Sequence, residues 1–254
     1  AKHANSPSTR YGLEATARAR KIAAIRSFYK YLTSKAKLLG ENPMQDLDSP
    51  RLKKSLPRYL SLDESIQLLE SVDEPNQARD YCILTLFLNC GLRISELVSL
   101  NLQDVREEQL RGLGKGNKER MIFLNDACRA ALDDWLEERS HQAAADPNAL
   151  FLSRSHTRVT TAGIHYMVKQ RLKKAGLDAS LYSSHKLRHT AATLMLQNGV
   201  DVRTLQEVLG HENLNTTQIY THVDNENLRS AAKANPLGRV KARKKPKSAS
   251  SDEN

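Results

Sequence analysis

Ser184-His-Lys-Leu-Arg-His189 opens a segment that continues through an apolar helical pattern to Gly199, then Leu209-Gly-His211, and ends at Tyr220. His185 and Arg188 stand three apart, so on a helix they share one face. The imidazole can move a proton near neutral pH. The guanidinium keeps its charge and can grip two oxygens of a phosphate at once. Tyr220 adds a hydroxyl able to act as a covalent nucleophile. Singly, each has a plainer reading: a histidine in a capped helix, a solvated surface arginine, a half-buried tyrosine. Together, a nucleophile, a proton carrier and a fixed cation point to chemistry at a phosphodiester, and the rest of the chain has to decide.

Composition agrees with a polyanionic partner. The 254 residues carry 39 Lys and Arg against 29 Asp and Glu, a formal charge of +10, which favours nucleic acid. Part of that charge lies in Arg239-Val-Lys-Ala-Arg-Lys-Lys-Pro-Lys247, but basic residues also run through the body. No apolar run approaches the roughly 20 residues a membrane helix needs, and no signal peptide is visible. Cys82 and Cys90, expected in one helix, would be about 12 Å apart along its axis, too far for a disulfide. With Cys128 they form an odd, unpatterned set, read as reduced, buried thiols in a reducing, cytoplasmic compartment.

Outward from the opening segment, the chain reads as mainly α with one small antiparallel β-sheet, an α+β fold. Ile22, Ile25, Phe28 and Leu32 place an apolar stripe on a helix from about Glu14 to Lys35. One helix cannot bury its own stripe, so residues 1–49 read as the closing part of an N-terminal helical domain. Pro43, Pro50 and Pro57 mark a linker, placed at 50–60. A catalytic domain follows over 61–235, and a basic tail expected to be disordered over 236–254.

Ser61-Leu-Asp-Glu64 is a capping box that starts the second domain. The run Tyr81–Leu88 is too apolar for a surface helix and reads as a central one, stopped by Gly91 in a left-handed cap. Arg93 follows at a helix start, where free amides and a guanidinium would make an anion site; the plainer reading pairs it with Glu96. Gln109–Leu113 and Arg120–Leu124 flank Gly114-Lys-Gly-Asn-Lys118, a hairpin around a glycine-rich turn. Later helices are expected over Asp126–Gln142, from Thr160 or Thr161 to Gly176, from Asp201 to Leu209, and after Asp224.

Five motifs now stand in order: Gly91-Leu-Arg-Ile-Ser-Glu-Leu97, Gly114-Lys-Gly-Asn-Lys-Glu-Arg120, Ser184-His-Lys-Leu-Arg-His-Thr190, Leu209-Gly-His211 and Thr216-Thr-Gln-Ile-Tyr-Thr-His222. In that order they resemble the tyrosine recombinase family, and most closely its Xer-type recombinases and related integrases. The resemblance implies a catalytic domain that cuts and rejoins DNA through a 3′-phosphotyrosyl link to Tyr220. Arg93 and Arg188 would clamp the non-bridging oxygens, Lys115 would protonate the departing 5′ oxygen, His185 would accept the tyrosine proton, and His211 would donate a hydrogen bond to the phosphate. The spacing from Arg93 to Lys115 is short for the family and leaves Lys118 open as the acid.

The resemblance also implies no cofactor or metal, a specific double-stranded DNA site, and a homo- or hetero-tetramer on two synapsed sites. An accessory activator and a nucleoid-associated, cytoplasmic setting would fit it. The final helix carries only a slight apolar face (Leu228, Ala231, Ala232), which suggests donation to a neighbouring protomer. Three other readings compete. A type IB topoisomerase shares the chemistry, and a DNA-binding protein could keep the fold without cleaving. A metal hydrolase could use the i, i+4 pair His185 and His189, although Lys186 stands where its Glu is expected.

Overall fold

A computed structural model describes residues 15–50, 58–73, 76–113, 119–210 and 225–240, and the chain divides into two compact units, Ala1–Pro57 and Arg58–Asn254. In the first unit, helix α1 (Ala15–Ser34) forms where the apolar stripe predicts it. Ile25 and Phe28 of that stripe stay exposed.

The second unit starts at α2 (Leu62–Glu70). Ser61 Oγ accepts from the Glu64 amide at 3.1 Å while a Glu64 carboxylate oxygen accepts from the Ser61 amide at 2.7 Å, the reciprocal cap read from the sequence. Helix α3 (Gln77–Cys90) is the centre of the unit. Its residues from Arg79 to Cys90 are all buried, and α5 (Asp126–Ser140) and α7 (Ser184–Gln197) are the helices that pack most against it. An amphipathic helix would not tolerate that position; a run such as Tyr81–Leu88 requires it.

Between α3 and α5 lie the short helix α4 (Ile94–Ser99) and one antiparallel hairpin. Its strands are β1 (Gln109–Leu113) and β2 (Glu119–Phe123), in register from Gln109 opposite Phe123 to Leu113 opposite Glu119. Asn125 starts α5 by accepting from the Cys128 amide. Trp135 on α5 donates to the Leu150 carbonyl at 2.9 Å and stacks on Phe151. Thr160 caps α6 (Thr161–Lys174), and Asp201 caps α8 (Val202–Leu209), each through a side-chain oxygen on free amides.

The last helix, α9 (Asn225–Lys233), runs into a 3-10 turn at Pro236–Arg239. This segment packs on its own unit, against α8, β2 and α5. Leu237 is fully buried, and Ala231, Ala232 and Asn235 nearly so. Slight as its apolar face is, the final helix thus packs on its own unit in the single chain. Much of its anchorage comes from residues after the helix, where only a disordered tail was expected, and from polar contacts that periodicity does not register. Asn235 Nδ2 donates to the Leu88 carbonyl at 2.9 Å, and Asn125 Nδ2 to the Ala232 carbonyl at 3.2 Å.

All three cysteines are free and buried, and no helix among the described residues is long and apolar enough to cross a membrane.

Candidate active site

Gly91 begins the site. It ends α3 with φ 58°, and a Cβ there would lie 2.7 Å from Leu209 Cδ2. Only glycine combines that backbone with that closeness. The turn it makes sets Arg93 just before α4, with its amide donating to Glu96 Oε2 at 2.8 Å. Arg93 is paired with Glu96, and its side chain remains 31% exposed.

Glu96 is the acid about which the site is built. Its carboxylate is 1% exposed and accepts four hydrogen bonds. Oε1 takes Arg93 Nη1 at 2.7 Å and Arg120 Nε at 3.1 Å; Oε2 takes the Arg93 amide at 2.8 Å and Arg120 Nη2 at 2.9 Å. Burial alone would raise the Glu96 carboxyl, but the hydrogen bonds and charge of Arg120 and the hydrogen bonds of Arg93 outweigh it and hold the group below the usual range.

The second anchor is the end of α8. Three successive carbonyls there each accept from a different arginine: Val208 from Arg120 Nη1 at 2.6 Å, Leu209 from Arg188 Nη2 at 2.6 Å, and Gly210 from Arg93 Nη2 at 2.7 Å. A helix C-terminus leaves its last carbonyls without helical partners and carries partial negative charge, which suits cations. Gly210, at φ 63°, ends α8 in the left-handed region.

Arg188 sits on α7, 6% exposed, and its Nη1 also donates to the Gly91 carbonyl. It is no solvated surface charge. Burial, with Arg93 and then Arg120 nearby, lowers its guanidinium to about 10 while Glu96 opposes the shift, so it stays a cation at neutral pH. Three guanidiniums around one carboxylate leave local positive charge in excess, a place prepared for an anion.

His185 is exposed in the first turn of α7, three residues before Arg188. Its neighbour Ser184 is 3% exposed and meets His165 Nδ1 at 3.3 Å. Burial, then Lys186 and His185, depress the His189 imidazole. No group of three potential ligands that could complete a metal site with this histidine pair occurs among the described residues. Lys115, Lys118, His211 and Tyr220 lie outside the described residues. The sequence motifs do not single out Arg120, which there ends one motif and starts a strand, and they offer Glu96 only as a partner of Arg93. A signal was present: a charged residue inside the apolar strand Arg120-Met-Ile-Phe-Leu124 needs a partner if its side chain turns inward.

Residues 58–227 match the family described as the phage integrase family. The chain belongs to that family, the tyrosine recombinases. Among its relatives, the tyrosine recombinase XerC of Caldanaerobacter subterraneus subsp. tengcongensis is 55% identical over 222 residues, 87% of this chain. This family member spans 63% of that relative's length. The tyrosine recombinase XerC of Vibrio cholerae is 39% identical over 244 residues, covering 94% of this chain and 76% of its own. Among solved structures, XerA recombinase aligns with TM-score 0.59 at 32% identity, covering 82% and 81% of the two chains. XerH recombinase in a post-cleavage complex with palindromic difH aligns with TM-score 0.67 at 26% identity, covering 89% and 69%. The mainly helical fold with one two-stranded antiparallel sheet is thus that of tyrosine recombinase catalytic domains.

Proposed function

We propose that this chain is the DNA-cleaving part of a site-specific recombinase that cuts and rejoins strands through a 3′-phosphotyrosyl intermediate. The observation that carries the reading is the pairing of Arg93 and Arg188 on adjacent carbonyls at the end of α8. It sets two guanidiniums of distant sequence origin side by side, one buried and one partly open. Such a pair fits the non-bridging oxygens of a phosphodiester, where charge builds in the transition state.

In this reading Tyr220 Oη attacks the scissile phosphorus, forms the phosphotyrosyl bond and displaces the 5′ oxygen. His185 accepts the tyrosine proton, which an unperturbed phenol of pKa about 10 holds at neutral pH. Lys115, or Lys118 beside it, gives a proton to the departing oxygen, and His211 donates a hydrogen bond to the phosphate. The linkage keeps the phosphodiester's energy, so a 5′-hydroxyl can reverse the step without ATP. The partner is double-stranded DNA bearing a specific site, as XerH is bound to difH in a related structure. Four protomers on two synapsed sites complete the exchange. An accessory activator and a nucleoid-associated, cytoplasmic setting fit the same reading, and the N-terminal unit serves as part of the DNA clamp.

The test is a nicked suicide duplex in EDTA, resolved on a denaturing gel. A covalent adduct from the wild type, absent from Tyr220→Phe, is expected. A metal requirement, or equal adduct from Tyr220→Phe, would sink the assignment.

A further inference from the structure

We propose that Arg120 is a positioning residue of the phosphate clamp, acting through Glu96 to aim Arg93; the inference rests on the recombinase reading above. Arg120 is not placed to touch a substrate. Its side chain is 13% exposed, and all three guanidinium nitrogens are engaged within the protein. Nε and Nη2 form a fork on Glu96 at 3.1 and 2.9 Å, and Nη1 reaches the Val208 carbonyl at 2.6 Å.

What Arg120 touches is what holds Arg93. Two of the four donors on the Glu96 carboxylate belong to Arg120, and the other two to Arg93. The other support of Arg93 is the Gly210 carbonyl. Arg120 packs there as well: a Cβ on Gly210 would stand 2.8 Å from Arg120 Cδ. So Arg120 bonds one acceptor that fixes Arg93 and packs beside the residue that carries the other. Without its fork, Glu96 would be a buried anion with half its donors gone, free to turn, and Arg93 would turn with it.

Arg120 also belongs to β2, the strand that follows residues 114–118 and their two lysines. Its bond to Val208 ties that strand to the end of α8. One guanidinium thereby joins three motif-bearing stretches: α4, the hairpin and α8. A lysine in its place would keep the charge but could not span a fork and a third acceptor together.

The experiment compares Arg120→Lys with wild type in three measurements. Duplex affinity should stay within about threefold, while single-turnover cleavage of the suicide duplex should fall about 10²-fold, the scale of a small misplacement in a catalytic site. The second measurement replaces one non-bridging oxygen of the scissile phosphate by methyl, which removes the charge Arg93 would meet. On that substrate the gap between wild type and Arg120→Lys should shrink to about tenfold or less, taking one lost charge-stabilising contact as about 10²–10³ in rate. A merely destabilised protein would lose equally on both. Third, the ¹⁵Nε resonance of Arg93, assigned through Arg93→Lys, should move in Arg120→Lys without any DNA. Cleavage within twofold of wild type, an equal gap on the two substrates, or an unmoved Arg93 resonance would overturn the proposal. If Arg120→Lys does not fold, Glu96→Gln probes the same relay from its other end by the same Arg93 resonance, and an unmoved signal again overturns it. The resonance needs no catalysis, so failure of the wild type to form an adduct would count against the recombinase reading alone.

Discussion

Arg93 and Arg188 hold neighbouring carbonyls of one helix end, Gly210 at 2.7 Å and Leu209 at 2.6 Å. Their separation is thereby set by the backbone of α8 and Gly210 rather than by side-chain packing alone. A rigid spacer suits two donors meant for two oxygens of one phosphate.

Arg188→Lys should cleave about 10²–10³-fold more slowly while keeping duplex affinity within a few fold. Its residual rate should also acquire a new pH dependence. Burial, with Arg93 and Arg120, lowers even the Arg188 guanidinium to about 10. An ammonium in the same place starts from about 10.4 and would be pushed toward neutrality. The variant's residual cleavage should therefore fall, relative to wild type, as pH rises from about 6 to 9. A flat ratio over that range would show that the site does not depress its cations.

Glu96→Gln should melt well below wild type at pH 7, since breaking a buried pair on one side costs about 3–5 kcal/mol. The gap should depend on pH with a definite sign. Glu96 is held below its ordinary value in the folded protein, so its contribution is complete above the unfolded value of about 4.3 and is lost as pH falls through the lower folded one. Melting curves at pH 7, 5 and 3.5 should show the two proteins converging at the acid end. A constant gap would mean that the carboxylate charge is not what holds the arginines.

The proton donor can be identified through the leaving group. A 5′-bridging phosphorothiolate departs without an acid. Such a substrate should restore cleavage to Lys115→Ala and leave Arg93→Ala inactive. Restoration of Lys118→Ala instead would move the role three residues along the chain.

Ending the chain before Asp224 should lower the melting temperature clearly. Leu237 alone, fully buried, accounts for about 1.5–3 kcal/mol. The Asn235 bond to Leu88 and the Asn125 bond to Ala232 add about 0.5–1.5 kcal/mol each. An unchanged melting temperature would mean that the segment has its place on another molecule.

The thiols should be silent in the native protein. Burial pushes the Cys82 and Cys128 thiols well above the ordinary cysteine value, and the sulfurs of Cys90 and Cys128 share a hydrogen bond at 3.6 Å without a disulfide. Iodoacetamide at pH 8 should label none of the three over minutes and all three in guanidinium chloride. Rapid labelling of one native thiol would place it at an accessible surface.

Much of the fold was legible because its signals are local. Ser61 and Glu64 cap α2 reciprocally, Asp201 caps α8, and Gly91 turns left-handed after a buried run. Each depends on residues within one helical turn. Gln109–Leu113 and Glu119–Phe123 form the expected hairpin for a similar reason, a change of period around glycines.

The amino-acid sequence by itself determined which segments are helical, where they stop, and that Arg93, His185 and Arg188 each stand near a helix start. Caps, glycines and apolar spacing act over a few residues and leave their mark in the order of the chain. Tertiary structure alone decided that Arg93, Arg120 and Arg188 share the end of α8, that Glu96 is an acceptor buried between two of them, and that Leu237 and Asn235 close over α3. The acceptors on α8 are backbone carbonyls, which every residue possesses. Nothing in the side-chain sequence marks the three that meet guanidiniums until packing has brought distant segments together.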